Sequence, residues 1–185
     1  RDDRQQRLLA EAKEGLDKKR WAVADAALRA QTLQRLRDTG IQVLDVEILR
    51  LKAQTRVSDF EAILAVGAEC GASELLVAGN DPDEARLTDN FAALCDLSEQ
   101  YGLHPHLEFM PWTEVKDAKS ALRIVRNAGT PANAGILVDA LHFGRSTTTL
   151  DDIRAIPREL LHYAQICDAV AGTHFTAEEM IHTAR

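Results

Sequence analysis

From residue 41 onward the chain alternates short β-rich runs with amphipathic helical segments, at a spacing of about 30 residues. Few folds accept that pattern, because it is the signature of parallel strands joined by crossover helices. The runs IQVLDVEIL (41–49), ELLVAG (74–79), HPHLEFMP (104–111), GILVDALHF (135–143) and HYAQICD (162–168) read as five strands and their exits. Between them, Ser58 and Glu61 have the spacing of a capping box, opening a helix whose Phe60, Ile63, Leu64 and Gly67 share one face up to Gly71. Asp83 to Tyr101 carries Leu87, Phe91, Leu94 and Cys95 on one stripe and is closed by Gly102. Asp117 to Ala128 packs through Ala118, Leu122 and Val125, and Leu150 to Leu161 is helical, interrupted or bent near Pro157. Trp21 to Gly40 is the helix before the first strand, whereas residues 1–20 form a charged helical segment outside the repeat.

The spacing is that of a (β/α)8 TIM barrel, so the expectation is one parallel sheet with helices outside, in a domain over residues 21–185. The barrel is incomplete: five strands are visible where closure takes eight, and 185 residues fall short of the usual size of about 250. Unpaired sheet edges invite association, which predicts a homo-oligomer.

Composition narrows the function classes. With 45% hydrophobic and 28% charged residues the chain has material for one globular core. No apolar run reaches the roughly 18–20 residues of a membrane span, and no signal-peptide pattern opens the chain, so a cytoplasmic location is expected. Cys70, Cys95 and Cys167 are widely spaced and odd in number, a pattern of reduced thiols and not of a disulfide framework or zinc knuckle. A formal charge of -7 without Lys/Arg clusters argues against a nucleic-acid backbone as partner and for a small molecule.

In such a barrel the catalytic residues sit at the carboxyl ends of the strands. The polar residues near the ends of the third, fourth and fifth apolar runs are Glu108, Asp139 and Gln165. A lone acidic residue at a strand end can equally be a helix cap. Three oxygen donors at equivalent points of consecutive strands converge on one point, and carboxylate and amide oxygens suit a hard divalent ion such as Mg2+ or Mn2+.

The segments LEFMPW, LVDALHFGRS and AQICDA, in that order, resemble the xylose isomerase-like TIM barrels of the sugar phosphate isomerase/epimerase superfamily, and the resemblance runs from about Trp21 to Arg185. It implies that Glu108 and Asp139 ligate the metal and that His142 faces the substrate. Gln165 stands where many epimerases of the family carry histidine. With glutamine there, the pattern is also similar to bacterial 3-dehydroshikimate dehydratases. The family's usual fourth ligand, a glutamate on a late strand, would lie beyond Arg185.

Both chemistries rest on a metal that polarises a carbonyl or hydroxyl, acidifies the neighbouring C–H and stabilises the resulting enolate or enediolate. The epimerase returns the proton, and the dehydratase expels hydroxide. His142 suits the acid or base role, unless it is simply bonded to a loop carbonyl, and by the resemblance Glu108 can act as well as bind. Glu47, Arg145, His182 and Arg185 are candidates for contacting a sugar, sugar phosphate or hydroxy-keto acid, the arginines through bidentate contacts to a carboxylate or phosphate. His104 and His106 fall low in the barrel and read as structural, and Trp112 either walls the pocket or packs. Three classes remain: an isomerase or epimerase, a dehydratase, and a non-catalytic partial barrel.

Overall fold

The computed structural model describes residues 26–169, 171–172 and 175–182. The segment 1–20, the start of the predicted first helix and Arg185 lie outside them, as does the side chain of His182. The first described helix, α1 (Ala26–Thr39), leads to β1 (Asp45–Leu51); β2 (Glu74–Gly79), β3 (His104–Glu108), β4 (Gly135–Asp139) and β5 (Ala164–Gln165) follow. The strands pair in sequence order and all in parallel. Helices intervene, as expected of an incomplete (β/α)8 barrel. Two strand limits differ from expectation. The first strand starts at Asp45, because Ile41 and Leu44 stay exposed. The fifth contracts to two residues that bond only β4, and Ile166 beyond them faces solvent.

The period-2 alternation sorts the strands' two faces. Leu75, Val77, Leu107, Phe109 and Ile136 look outward and form the main core with helical residues such as Leu87, Phe91, Leu122 and Val125. Burying side chains of this size stabilises the fold by about 1.5–3 kcal/mol each. Leu76, Ala78, Met110 and Leu137 form a smaller inner cluster with Ile48, Trp112 and Tyr163.

In β1 the register slips, with Val46 opposite Leu75 but Leu49 opposite Val77. Glu47 and Ile48 therefore share the place of one residue. This bulge has a clear effect: Ile48 joins the inner cluster while Leu49 and Leu51 return to the outer core.

The helices begin where short polar side chains satisfy free N–H groups. Asp83 accepts from Arg86 N at the start of α3 (Glu84–Glu99), and Asp117 and Ser120 form a reciprocal box at the start of α4 (Ala118–Asn127). The predicted box of Ser58 with Glu61 does not form. A 3-10 turn over Val57–Phe60 absorbs Ser58, so that α2 (Glu61–Glu69) starts at Phe60 without a side-chain cap. At Pro157, which has no N–H to donate, the expected interruption is a full break, with α6 (Leu150–Arg154) before it and a 3-10 turn at Arg158–Leu160 after it. Two further short helices are α5 (Ala140–Arg145) and α7 (Ala177–His182). No helix among the described residues is long and apolar enough to cross a membrane.

Candidate metal and acid/base site

At the carboxyl ends of the strands, polar side chains gather on the inner face. Glu108 closes β3 and is buried, and its Oε1 lies 3.4 Å from His142 Nε2. Burial, reinforced by the carboxylates of Asp139, Glu47 and Asp45, pushes its carboxyl up to about 8, against an opposing pull from Arg50. A carboxyl in this setting is protonated at neutral pH unless a cation joins it.

Asp139 closes β4 and divides its two oxygens. Oδ1 accepts from the backbone N–H groups of Leu141 (2.7 Å) and His142 (3.1 Å), capping α5. Oδ2 faces the Cys167 thiol at 3.4 Å. Both readings of this residue are thus open to it at once: one oxygen caps, and the other stays near Glu108.

Gln165 closes β5 and donates through Nε2 to Glu47 Oε1. An amide bound this way keeps its carbonyl oxygen for another partner. Glu47, placed by the bulge, thereby stands beside Gln165 and near Glu108.

His142 sits in the first turn of α5, held by the Asp139 cap. Burial lowers its pKa, so the imidazole is neutral and able to accept a proton. The Trp112 ring packs edge-on against it, with centroids 4.8 Å apart. Trp112 is therefore both a packing residue of the inner cluster and a wall beside His142. Tyr163, beneath this group, has its phenol pushed up by burial and by the carboxylates of Asp45, Glu47 and Glu108. Asp45, Arg50 and Tyr163 carry no sequence signal of their own and emerge only from the fold.

Arg145 is turned toward the end of the chain. Nη1 donates to the Met180 carbonyl at 3.2 Å, and the guanidinium lies 4.3 Å from the centre of the Phe175 ring. Among the described residues its buried Nη2 has no hydrogen-bond partner, which leaves that group to donate to an anion.

A second polar group lies at the opposite, amino-terminal ends of the strands. Glu74, His106 and His162 bring one ligand atom each within 4.8 Å of one another, an arrangement that fits a metal ion. His106 is fully buried low in the sheet. His104, its neighbour at the foot of β3, hydrogen-bonds the Ser73 carbonyl.

A parallel, helix-covered sheet with acidic and imidazole groups at its carboxyl ends defines a barrel of the class that carries polar small-molecule chemistry there. The chain belongs to the xylose isomerase-like TIM barrel family, whose model matches residues 9–178. No curated protein matches it in sequence. Among solved structures it is similar to a xylose isomerase-like TIM barrel/4-hydroxyphenylpyruvate dioxygenase fusion protein, at 22% identity and a TM-score of 0.74, over 85% of this chain and 27% of that one. The IolI protein with a binding zinc atom gives 19% identity and a TM-score of 0.69, over 89% and 65%. The probable 3-DHS dehydratase AsbF of petrobactin synthesis from Bacillus anthracis gives 14% and 0.67, over 85% and 62%. At these identities the likeness is one of fold. The chain spans less than two thirds of each of these proteins.

Proposed function

We propose that the chain is the metal-binding core of a divalent-metal-dependent isomerase or epimerase that acts on a sugar or sugar phosphate. The observation that carries this reading is the buried Glu108 carboxyl, surrounded by the carboxylates of Asp139, Glu47 and Asp45 and 3.4 Å from a neutral imidazole. Carboxylates crowded this way repel one another unless a cation or a proton intervenes, so the donor set of Glu108, Asp139 and Gln165 suits a hard ion, Mg2+ or Mn2+. Bound there, such an ion would polarise a substrate carbonyl or hydroxyl and acidify the adjoining C–H.

The chain's own residues supply the rest. Glu108 and His142 stand close enough to share a proton between Oε1 and Nε2, one giving as the other takes, which is what moving a proton off and back onto carbon requires. Trp112 shields that pair from water on one side. Glu47 offers carboxylate oxygens to substrate hydroxyls. Arg145, through its free Nη2, and His182 and Arg185, farther along the chain, are assigned to an anionic group of the substrate.

A second reading is a lyase of the 3-dehydroshikimate dehydratase type. Glutamine at 165 favours it, and the fold likeness to AsbF agrees. The two readings separate in one experiment. The chain is incubated in deuterated water with Mg2+ or Mn2+ and a panel of ketoses, ketose phosphates and 3-dehydroshikimate. Deuterium at the carbon beside the carbonyl of a recovered sugar is the expected result. Turnover of dehydroshikimate alone makes the protein a lyase, and no exchange on any substrate leaves a non-catalytic barrel.

A further inference from the structure

The polar group at the amino-terminal ends of the strands is separated from the carboxyl-end site by inner-face apolar residues, among them Leu76 and Leu137. We propose that Glu74, His106 and His162 form a structural Zn2+ site that ties the approach to β5 to β2 and β3. The inference does not depend on the reading of the carboxyl-end site.

Distances come first. His106 Nε2 lies 2.8 Å from His162 Nδ1 and 3.4 Å from Glu74 Oε2, and His162 Nδ1 lies 4.0 Å from Glu74 Oε2. Zinc–ligand bonds of about 2.0–2.2 Å give tetrahedral edges of roughly 3.3–3.5 Å. The three separations bracket that edge, so small side-chain adjustments seat the ion, with the fourth position left for water.

Two of the three ligands are also set up by a neighbour. The Ser73 hydroxyl donates to Glu74 Oε1 at 2.9 Å, leaving Oε2 buried with no hydrogen-bond partner. His162 Nε2 donates to the Glu159 carbonyl at 2.9 Å, which fixes the proton there and turns the Nδ1 lone pair toward the cluster. Outer partners of this kind orient ligands in zinc sites. Metal binding needs His106 with its proton on Nδ1, so the proton now shared between the two rings moves within the His106 ring and none is released.

Space and charge agree. Gly135 lies opposite His106, and a Cβ there would overlap the imidazole, so the glycine makes room for a ring in the interior. Among the described residues the ion pairs of Glu74 are with His104, His106 and His162 alone. Full burial keeps His106 from charging, and its pKa is pushed down to about 3. A buried carboxylate oxygen with two imidazoles is a nitrogen-rich donor set that suits zinc better than Mg2+ or Ca2+. The ion would have a purpose: β5 is two residues long, and His162 lies just before it.

The test is zinc uptake by the chelator-stripped protein, read by equilibrium dialysis and by the thermal midpoint. Asp139→Asn, which weakens only the carboxyl-end site, is expected to keep one equivalent of Zn2+ and the rise in midpoint, and the wild type to bind at least that equivalent. Glu74→Gln and His162→Asn should weaken that equivalent by more than the roughly 10–100-fold that removal of an outer partner costs, and Ser73→Ala should fall within that range. His162 is partly exposed, so its variant decides the matter if Glu74→Gln does not fold. Unchanged uptake in both ligand variants, loss of all zinc in Asp139→Asn, or no zinc uptake by the wild type would each overturn the proposal.

Discussion

Gln165, in the last strand, donates its side-chain amide to Glu47, in the first, so the two ends of a five-stranded sheet meet on its inner face. The bond spans 118 positions of sequence. Gln165→Ala should therefore lower stability by about 1.5–3 kcal/mol, the range for a hydrogen bond to a charged group, and weaken Mn2+ binding as well. Urea unfolding and metal titration of the same preparation check both. A loss of stability with unchanged Mn2+ affinity would assign Gln165 a purely structural role.

Asp139 caps α5 through Oδ1, so the proposed metal ligation would fall to Oδ2. Asparagine caps as well as aspartate, so Asp139→Asn should keep the stability of the wild type while Mn2+ affinity falls. Asp139→Ala should lose the affinity and, in addition, about 1 kcal/mol of stability through the missing cap. Equal stability of the two variants would show that the bonds to Leu141 and His142 contribute little.

His142→Ala should leave metal content unchanged and slow carbon-bound proton exchange by a factor on the order of 10² to 10⁴, the usual contribution of a positioned acid or base. Metal analysis of the purified variant accompanies the exchange assay. Loss of the metal would make His142 a ligand, and full activity would leave it a packing partner of Trp112.

Glu108 gives the metal-free protein a pH dependence of definite sign. Its carboxyl is raised from the ordinary 4.5 to about 8 in the folded state. The folded state therefore holds a proton that the unfolded chain has released. The stabilisation is fully present below about pH 4.5 and is lost as pH rises through 8, with a slope of at most about 1.4 kcal/mol per pH unit. Urea midpoints of chelator-treated protein across this window should fall with pH in the wild type and fall less in Glu108→Gln. Parallel curves would show that Glu108 ionises freely in the folded protein.

The sequence by itself determined the alternation of strands and helices and therefore the parallel character of the sheet. Strand 74–79 was legible to the residue because it is an apolar run with turn residues on both sides, and the start of the strand at Gly135 was legible in the same way, after Pro131 and Asn133. The helices that open at Asp83 and Asp117 were legible from their apolar stripes, and the structure shows both aspartates to be their caps. Glu108, Asp139 and Gln165 stood out as polar interruptions near the ends of apolar runs, and the sheet places them at neighbouring strand ends. Ser58 and Glu61 show where local reasoning stops: their spacing satisfies a capping box, but the chain winds a 3-10 turn before the helix starts.

Tertiary structure decided the rest. Whether Glu47 faces inward depends on a bulge, and a shift of one residue in register turns every later side chain to the other face, so no local pattern fixes it. The length of β5 depends on how far β4 can pair with it. The meeting of Glu74, His106 and His162 draws on three segments whose contact arises only from strand order and register. His106 read as structural because it falls at the start of its strand, low in the barrel. What it touches was set by a glycine 29 residues later and by a histidine 56 residues away, and such distances are bridged only by the folded sheet.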